Sequence, residues 1–297
     1  MFRFLLALLL LPAAALAAPA PDKAAGRPAF ASERLSVKVV GSGPDVVLIP
    51  GLGSSPDVWR TTVAAMPGYR YHIVHVAGFA GKAAGANASG PVLEPVAGEI
   101  VRYIKEAGLK KPALVGHSLG GAWALIVAGR NPGLVSKAMV VDMLPFLGNM
   151  FGGPEATPDS VRPIADQIRK GIATSAGAAR RTQIEQTIVG MVRTEPLRAE
   201  IAGHSLSSDP AASGQAMYDL ITTDLRPDLA RVKTPLTVLY VTPAGAPVTD
   251  AQMDEFYKMS YANAPQAVLK RIPESYHFIM LDAPLEFRKE LKDFLAK

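Results

Sequence analysis

The 297-residue chain has no cysteine, which removes disulfide scaffolds, thiolate zinc sites, iron–sulfur clusters and a thiol nucleophile together. Any covalent chemistry must therefore run on another residue. Charge is sparse as well: 31 basic against 26 acidic residues leave +5, and the basic residues are scattered rather than gathered in a run. Nothing in that pattern suggests a nucleic-acid partner. What the chain does have is apolar material, 49% of its residues, enough to offset the entropy of ordering. The length suits one large domain, or a domain carrying a sizeable insertion.

The N-terminus has the three-part layout of a secretory signal: basic Arg3, a leucine-rich run over residues 5–11, and a small-residue stretch over 12–20. The run is too short to span a bilayer. Ala15-Leu16-Ala17 fits the small-x-small cleavage rule, so residues 1–17 are expected to be removed, which implies a periplasmic or secreted protein without a stable membrane anchor. With no cysteine after the run there is no lipobox. Residues 18–32, rich in Ala and Pro, read as a flexible lead-in.

Short apolar runs at 35–40, 45–49, 71–76, 113–116, 137–141, 236–241 and 267–272 read as strands, most of them apolar on both faces as in a parallel sheet. The first two flank Gly41-Ser42-Gly43-Pro44, a hairpin signal. Val96, Ile100 and Ile104 recur at helical spacing, and residues 122–129 form a second, nearly all-apolar helix. Strand and helix in alternation predict an α/β fold with a mostly parallel sheet, its core in residues 33–145 and 230–297. Residues 146–229 lose the strand signal and carry helical segments near 164–172, 178–192 and 212–222. Set between two strands, such a stretch reads as a cap over a site.

Gly116-His117-Ser118-Leu119-Gly120 follows one apolar run and precedes a helix, so it is G-x-S-x-G in strand–turn–helix context. The flanking glycines let the chain turn sharply with the serine exposed at the tip. A serine hydroxyl needs a base. Of the five histidines, His117 sits inside the turn and is expected to point elsewhere, His204 falls in the helical stretch, and His277 stands between the last strand and the C-terminal helix. His277 is the candidate base.

Together with Val46 to Gly53 and His277-Phe278 ahead of an acidic-x-Pro helix start, these residues resemble the α/β-hydrolase superfamily in its lidded form, over roughly residues 35–295. The resemblance implies a serine esterase or lipase-like hydrolase, with the backbone amides of Leu52 and Leu119 as oxyanion hole. Pro50-Gly51 stands where relatives usually carry His-Gly. Relatives place the triad acid in a Gly-x-x-Asp turn after the strand that follows the cap, yet residues 241–247 hold no carboxylate. Two aspartates remain, Asp142 as the choice and Asp250 as the alternative. Asp142 ends the strand after the nucleophile helix, and Asp250 lies in Thr249-Asp250-Ala251-Gln252, which also reads as a capping box.

A serine nucleophile implies an acyl-enzyme formed on a carbonyl. Met143, Leu144, Phe146, Leu147, Met150, Phe151, Ile188, Met191 and Met217 could line an apolar substrate site. The Gly-rich stretch at 78–85 lacks dinucleotide spacing and reads as a pocket wall, and the sequon at Asn87 reads as incidental. The reading assigns no cofactor and no metal, a small-molecule substrate, and no oligomeric state. Ester hydrolysis is the leading function. A ligand-binding protein with little turnover, or an aminopeptidase-like amidase, is the alternative.

Overall fold

In the computed structural model, residues 30–243 and 245–296 are described; the expected signal segment and most of the lead-in lie outside them. A seven-stranded sheet runs in the order β1 (Leu35–Gly41), β3 (Arg70–Val76), β2 (Asp45–Ile49), β4 (Ala113–His117), β5 (Lys137–Val141), β6 (Leu236–Tyr240), β7 (Val268–Arg271). Only β1 runs antiparallel to its neighbour; every other pairing is parallel. The expected β1–β2 hairpin does not form, because β3 lies between the two strands. The physical reason is burial. β2 is apolar on both faces and needs a partner on each edge, whereas β1 alternates buried and wet positions and can take the sheet's rim.

Alternate residues of each central strand serve opposite cores: Val47 and Ile49 face one, Val46 and Leu48 the other. Helices α2 (Leu93–Glu106) and α3 (Leu119–Arg130), with α10 (Asp250–Ser260), cover the first core; α1 (Arg60–Ala65), α11 (Ile279–Asp282) and α12 (Pro284–Ala296) help cover the second. α2 buries Leu93, Val96, Ala97, Ile100 and Ile104 on one stripe and turns Arg102 outward to pair with Glu99 and Glu106. α3 is buried all round, which matches its uniformly apolar sequence.

Between β5 and β6 the chain forms α4 (Asn149–Gly152), α5 (Pro158–Thr174), α6 (Gly177–Met191), α7 (Glu195–Leu206), α8 (Pro210–Thr222) and α9 (Arg226–Leu229). α5 and α8 touch closely at Gly214, where a Cβ would come within 2.7 Å of the Arg169 carbonyl oxygen. This layer is tied to the α/β core by its own polar groups. The Asp219 carboxylate accepts from the Val92 and Leu93 amides (2.6 and 3.0 Å), capping α2, and Asp282 accepts from the Arg193 and Thr194 amides (3.0 and 2.9 Å), capping α7. Among the described residues no helix is long and apolar enough to cross a membrane.

Candidate active site

Parallel pairing brings the C-terminal ends of β4, β5 and β6 side by side, and this is where side chains of a doubly wound sheet converge. Ser118 immediately follows β4 in a conformation that a non-glycine residue rarely adopts (φ 54°, ψ −124°). Its amide donates to the Val141 carbonyl at 2.8 Å, holding the turn against β5. Both flanking glycines are sterically required. A Cβ on Gly116 would lie 2.0 Å from the Gly120 carbonyl oxygen, and one on Gly120 would lie 2.2 Å from the Ile49 carbonyl oxygen. The Leu119 amide opens α3 and so has no acceptor within the helix. The turn after β2 also passes close: a Cβ on Gly51 would sit 3.0 Å from the Ser118 Cβ. Pro50 leaves this approach intact, and Leu52 follows it in the wall of the same cavity.

Asp142 follows β5 and is likewise in the left-handed region (φ 53°), a conformation that short polar side chains tolerate. Its amide donates to the Leu239 carbonyl at 2.7 Å. One carboxylate oxygen lies 2.6 Å from His277 Nδ1; the other accepts from the Val241 amide (3.2 Å) and the Tyr257 hydroxyl (3.1 Å). Tyr257 is fully enclosed and stacks on Tyr240 with ring centroids 4.0 Å apart; burial pushes its hydroxyl well above 10, so it stays a donor. With Nδ1–H donated to Asp142, the lone pair of His277 is on Nε2. Asp250 is elsewhere. It caps nothing at His277; its carboxylate accepts from Thr242 Oγ1 (2.6 Å) and pairs with Arg271 (2.7 Å), while Thr249 and Gln252 form the capping box of α10. Of the two candidate acids, the structure brings Asp142 to the histidine and leaves Asp250 on the surface.

The expectation that His117 points away from the site is corrected. Its ring is fully buried beside that of His277, with centroids 4.6 Å apart, and its Nε2–H donates to the His277 carbonyl at 3.0 Å. Burial, with His277 adding to it, drives the His117 imidazole well below 6.5, so it stays neutral. His117 thus fixes the backbone that carries the candidate base. Neither this role nor that of Tyr257 was signalled by the sequence, because both depend on contacts between distant segments.

Ser118, Asp142 and His277 open onto one cavity of about 930 Å³. Met143, Leu144, Leu147, Met150, Ile188, Met191 and Met217 line it as expected. Phe146 and Phe151 do not: Phe146 belongs to a separate core with Val161, Ala165 and Ile221 beneath Arg226, and Phe151 is exposed. His204 is also absent from the lining. The Gly-rich stretch is no pocket wall. It carries the helical layer instead, through Gly81 N to Ser207 O (3.1 Å), Asp209 N to Gly78 O (2.7 Å) and Ala80 N to Ser208 Oγ (2.8 Å), and the positive φ of Gly78 and Gly81 turns its backbone to make these bonds. Asn87 is fully buried, and its side chain bonds the Arg34 and Ala77 carbonyls (3.0 Å each), so the sequon is a structural asparagine.

Residues 46–290 match the alpha/beta hydrolase family. A pimeloyl-[acyl-carrier protein] methyl ester esterase of Vibrio cholerae is 26% identical over 208 residues, covering 68% of this chain and 77% of the relative. Among solved structures, an esterase from Exiguobacterium antarcticum superposes with a TM-score of 0.73 at 21% identity, over 89% of this chain and 96% of that one. An enol-lactonase from Burkholderia xenovorans LB400 superposes with a TM-score of 0.70 at 17% identity, over 89% and 96%. With its elbow, sheet order and helical layer in place, the chain belongs to the alpha/beta hydrolase family.

Proposed function

We propose that this hydrolase cleaves a small, largely apolar carboxylic ester through an acyl-enzyme on Ser118. The observation that carries the reading is the 2.6 Å contact between His277 Nδ1 and Asp142, in the largely apolar cavity that Ser118 also lines. His277 Nε2 takes the hydroxyl proton as Ser118 Oγ bonds to the ester carbon. It then returns that proton to the departing alkoxide, which leaves as the alcohol. Water, deprotonated by the same nitrogen, attacks the acyl-enzyme; the acid is released and the proton goes back to Ser118. The negative oxygen formed in each step would be received by the amides of Leu52 and Leu119, with the N-terminal end of α3 favouring that charge. Asp142 holds His277 in the required tautomer.

The ester is favoured over an aminopeptidase substrate by the cavity's charge. Among the described residues its only carboxylate is Asp142, already engaged with His277, so a substrate ammonium would meet no counter-charge. The esterase named among the relatives supports the same choice. Helices α4 to α9 act in this reading as the cap that excludes water.

Hydrolysis of p-nitrophenyl acetate and butyrate tests the proposal. Ser118→Ala should lower kcat by at least about 10³-fold, and a fluorophosphonate should label wild type at Ser118. Equal rates in the two proteins would leave a binding protein on the hydrolase fold.

A further inference from the structure

The cap-side wall of the cavity is not uniformly apolar. Helix α6 presents Arg180, Gln183, Ile184, Thr187, Ile188 and Met191 to it, at the spacing of one helical face. Polarity falls along that face. Met191, at the C-terminal end, is apolar and lies beside the base, since its carbonyl accepts from the Phe278 amide at 3.3 Å. Arg180, about 16 Å away along the helix axis, is a permanent cation.

Arg180 lacks the partner that other arginines of the helical layer have. Arg162, Arg169, Arg181, Arg193 and Arg226 each pair with a carboxylate. Among the described residues Arg180 and Arg198 bond only backbone carbonyls, and of these two Arg180 lines the cavity. Arg180 Nη2 donates to the carbonyls of Ser205 (3.0 Å) and Ser208 (2.8 Å). Those bonds hold the guanidinium in place. Its Nε and Nη1 donate to no protein acceptor among the described residues, which leaves three of its five N–H groups free. Ser208 in turn contacts the Gly53 carbonyl through its hydroxyl (3.2 Å), so the cation is anchored to the loop that carries Leu52. A half-buried guanidinium with its Nε–H and both Nη1–H groups unpaired among the described residues, at the polar end of a wall that turns apolar toward the base, offers a carboxylate an opposite charge and hydrogen-bond donors.

We propose that Arg180 receives a substrate carboxylate, and that the physiological ester carries this carboxylate several methylenes from the scissile bond. The proposal rests on the ester-hydrolase reading and narrows it from apolar esters in general to half-esters and esters of longer hydroxy acids.

Two probe pairs test it: monomethyl adipate against dimethyl adipate, and 6-acetoxyhexanoate against its methyl ester. In wild type, kcat/KM for the charged member of at least one pair should exceed that of its neutral partner by about tenfold or more. Arg180→Gln should bring that ratio close to one. Arg180→Lys, which keeps the charge but not the bonds to Ser205 and Ser208 that hold it in place, should retain part of it. The wild-type comparison needs no variant, so a Gln variant that folds poorly does not remove the test. A ratio near one in wild type for both pairs, or a ratio unchanged in a folded Arg180→Gln, overturns the assignment while p-nitrophenyl butyrate hydrolysis through Ser118 leaves the esterase reading standing. If no ester is turned over, adipate alone decides the Arg180 site by thermal shift. A rise in Tm in wild type but not in Arg180→Gln supports it, and no rise in either overturns it.

Discussion

Asp142 and Asp250 are both aspartates near the same strand end, and the difference between them is one of contact. Asp142 accepts from His277, Tyr257 and the Val241 amide, whereas Asp250 answers to Thr242 and Arg271. Asp142→Asn keeps the size and the tolerance for positive φ but presents an amide where the imidazole N–H needs an acceptor. It should lower kcat for p-nitrophenyl butyrate by about 10³- to 10⁴-fold. Asp250→Asn should leave kcat within about threefold, since its side chain touches none of the reacting groups. Stopped-rate assays on the two purified variants check both, and a large loss in Asp250→Asn alone would reverse the assignment. Ser118 and His277 could be picked out from sequence because a nucleophile elbow and a late-chain histidine are local signals. For the acid, Asp142 could be preferred over Asp250 but not fixed, because which carboxylate reaches His277 depends on residues 142 and 277, which meet only through the sheet.

The elbow shows how an element imposes its own sequence. β4 ends, the chain reverses through Ser118, and α3 begins within one residue, so the backbone of Gly116 and Gly120 passes other backbone at distances no Cβ could share. Gly120→Ala would place its methyl 2.2 Å from the Ile49 carbonyl oxygen and 2.8 Å from that of Pro50. Relief requires moving the Leu119 amide or the β2 turn, so stability should fall by about 2 kcal/mol or more, with ester turnover lost alongside. Gly98 is the contrast. It lies in the middle of α2, exposed, with nothing within 4 Å of a Cβ, and Gly98→Ala should stabilise the protein by about 0.5–1 kcal/mol. Urea unfolding of both variants measures the two shifts, and equal signs would contradict the steric account. The β1–β2 connection marks the limit of local reading: its Gly-Ser-Gly-Pro turn fits a hairpin, but the place beside β2 is taken by β3, which is buried along most of its length.

At the scale of the molecule, histidines set the acid side of stability. His72, His75, His117 and His204 are all lowered from 6.5, each chiefly by burial, His117 the most. An imidazole whose folded pKa lies below its unfolded value contributes stability that is fully present above pH 6.5. That contribution is lost as the pH falls, because the unfolded chain takes up protons the folded one refuses. Tm should therefore decline from pH 7 to pH 5, ahead of the carboxylates Asp45, Glu99 and Glu290, whose lowered pKa values act below about pH 4.5. His117→Gln should flatten the decline; an unchanged slope would remove His117 as its source. Export is a separate expectation: N-terminal sequencing of protein secreted from a host carrying the full gene should begin at Ala18. The sequence by itself determined most of the elements and the elbow, since hydrophobic period and turn glycines are properties of neighbouring residues. Only the tertiary structure decided which aspartate faces His277, that His117 holds its backbone, and that Arg180 stands in the cavity with no counter-ion among the described residues, because each of these is a distance between segments that the chain brings together only by folding.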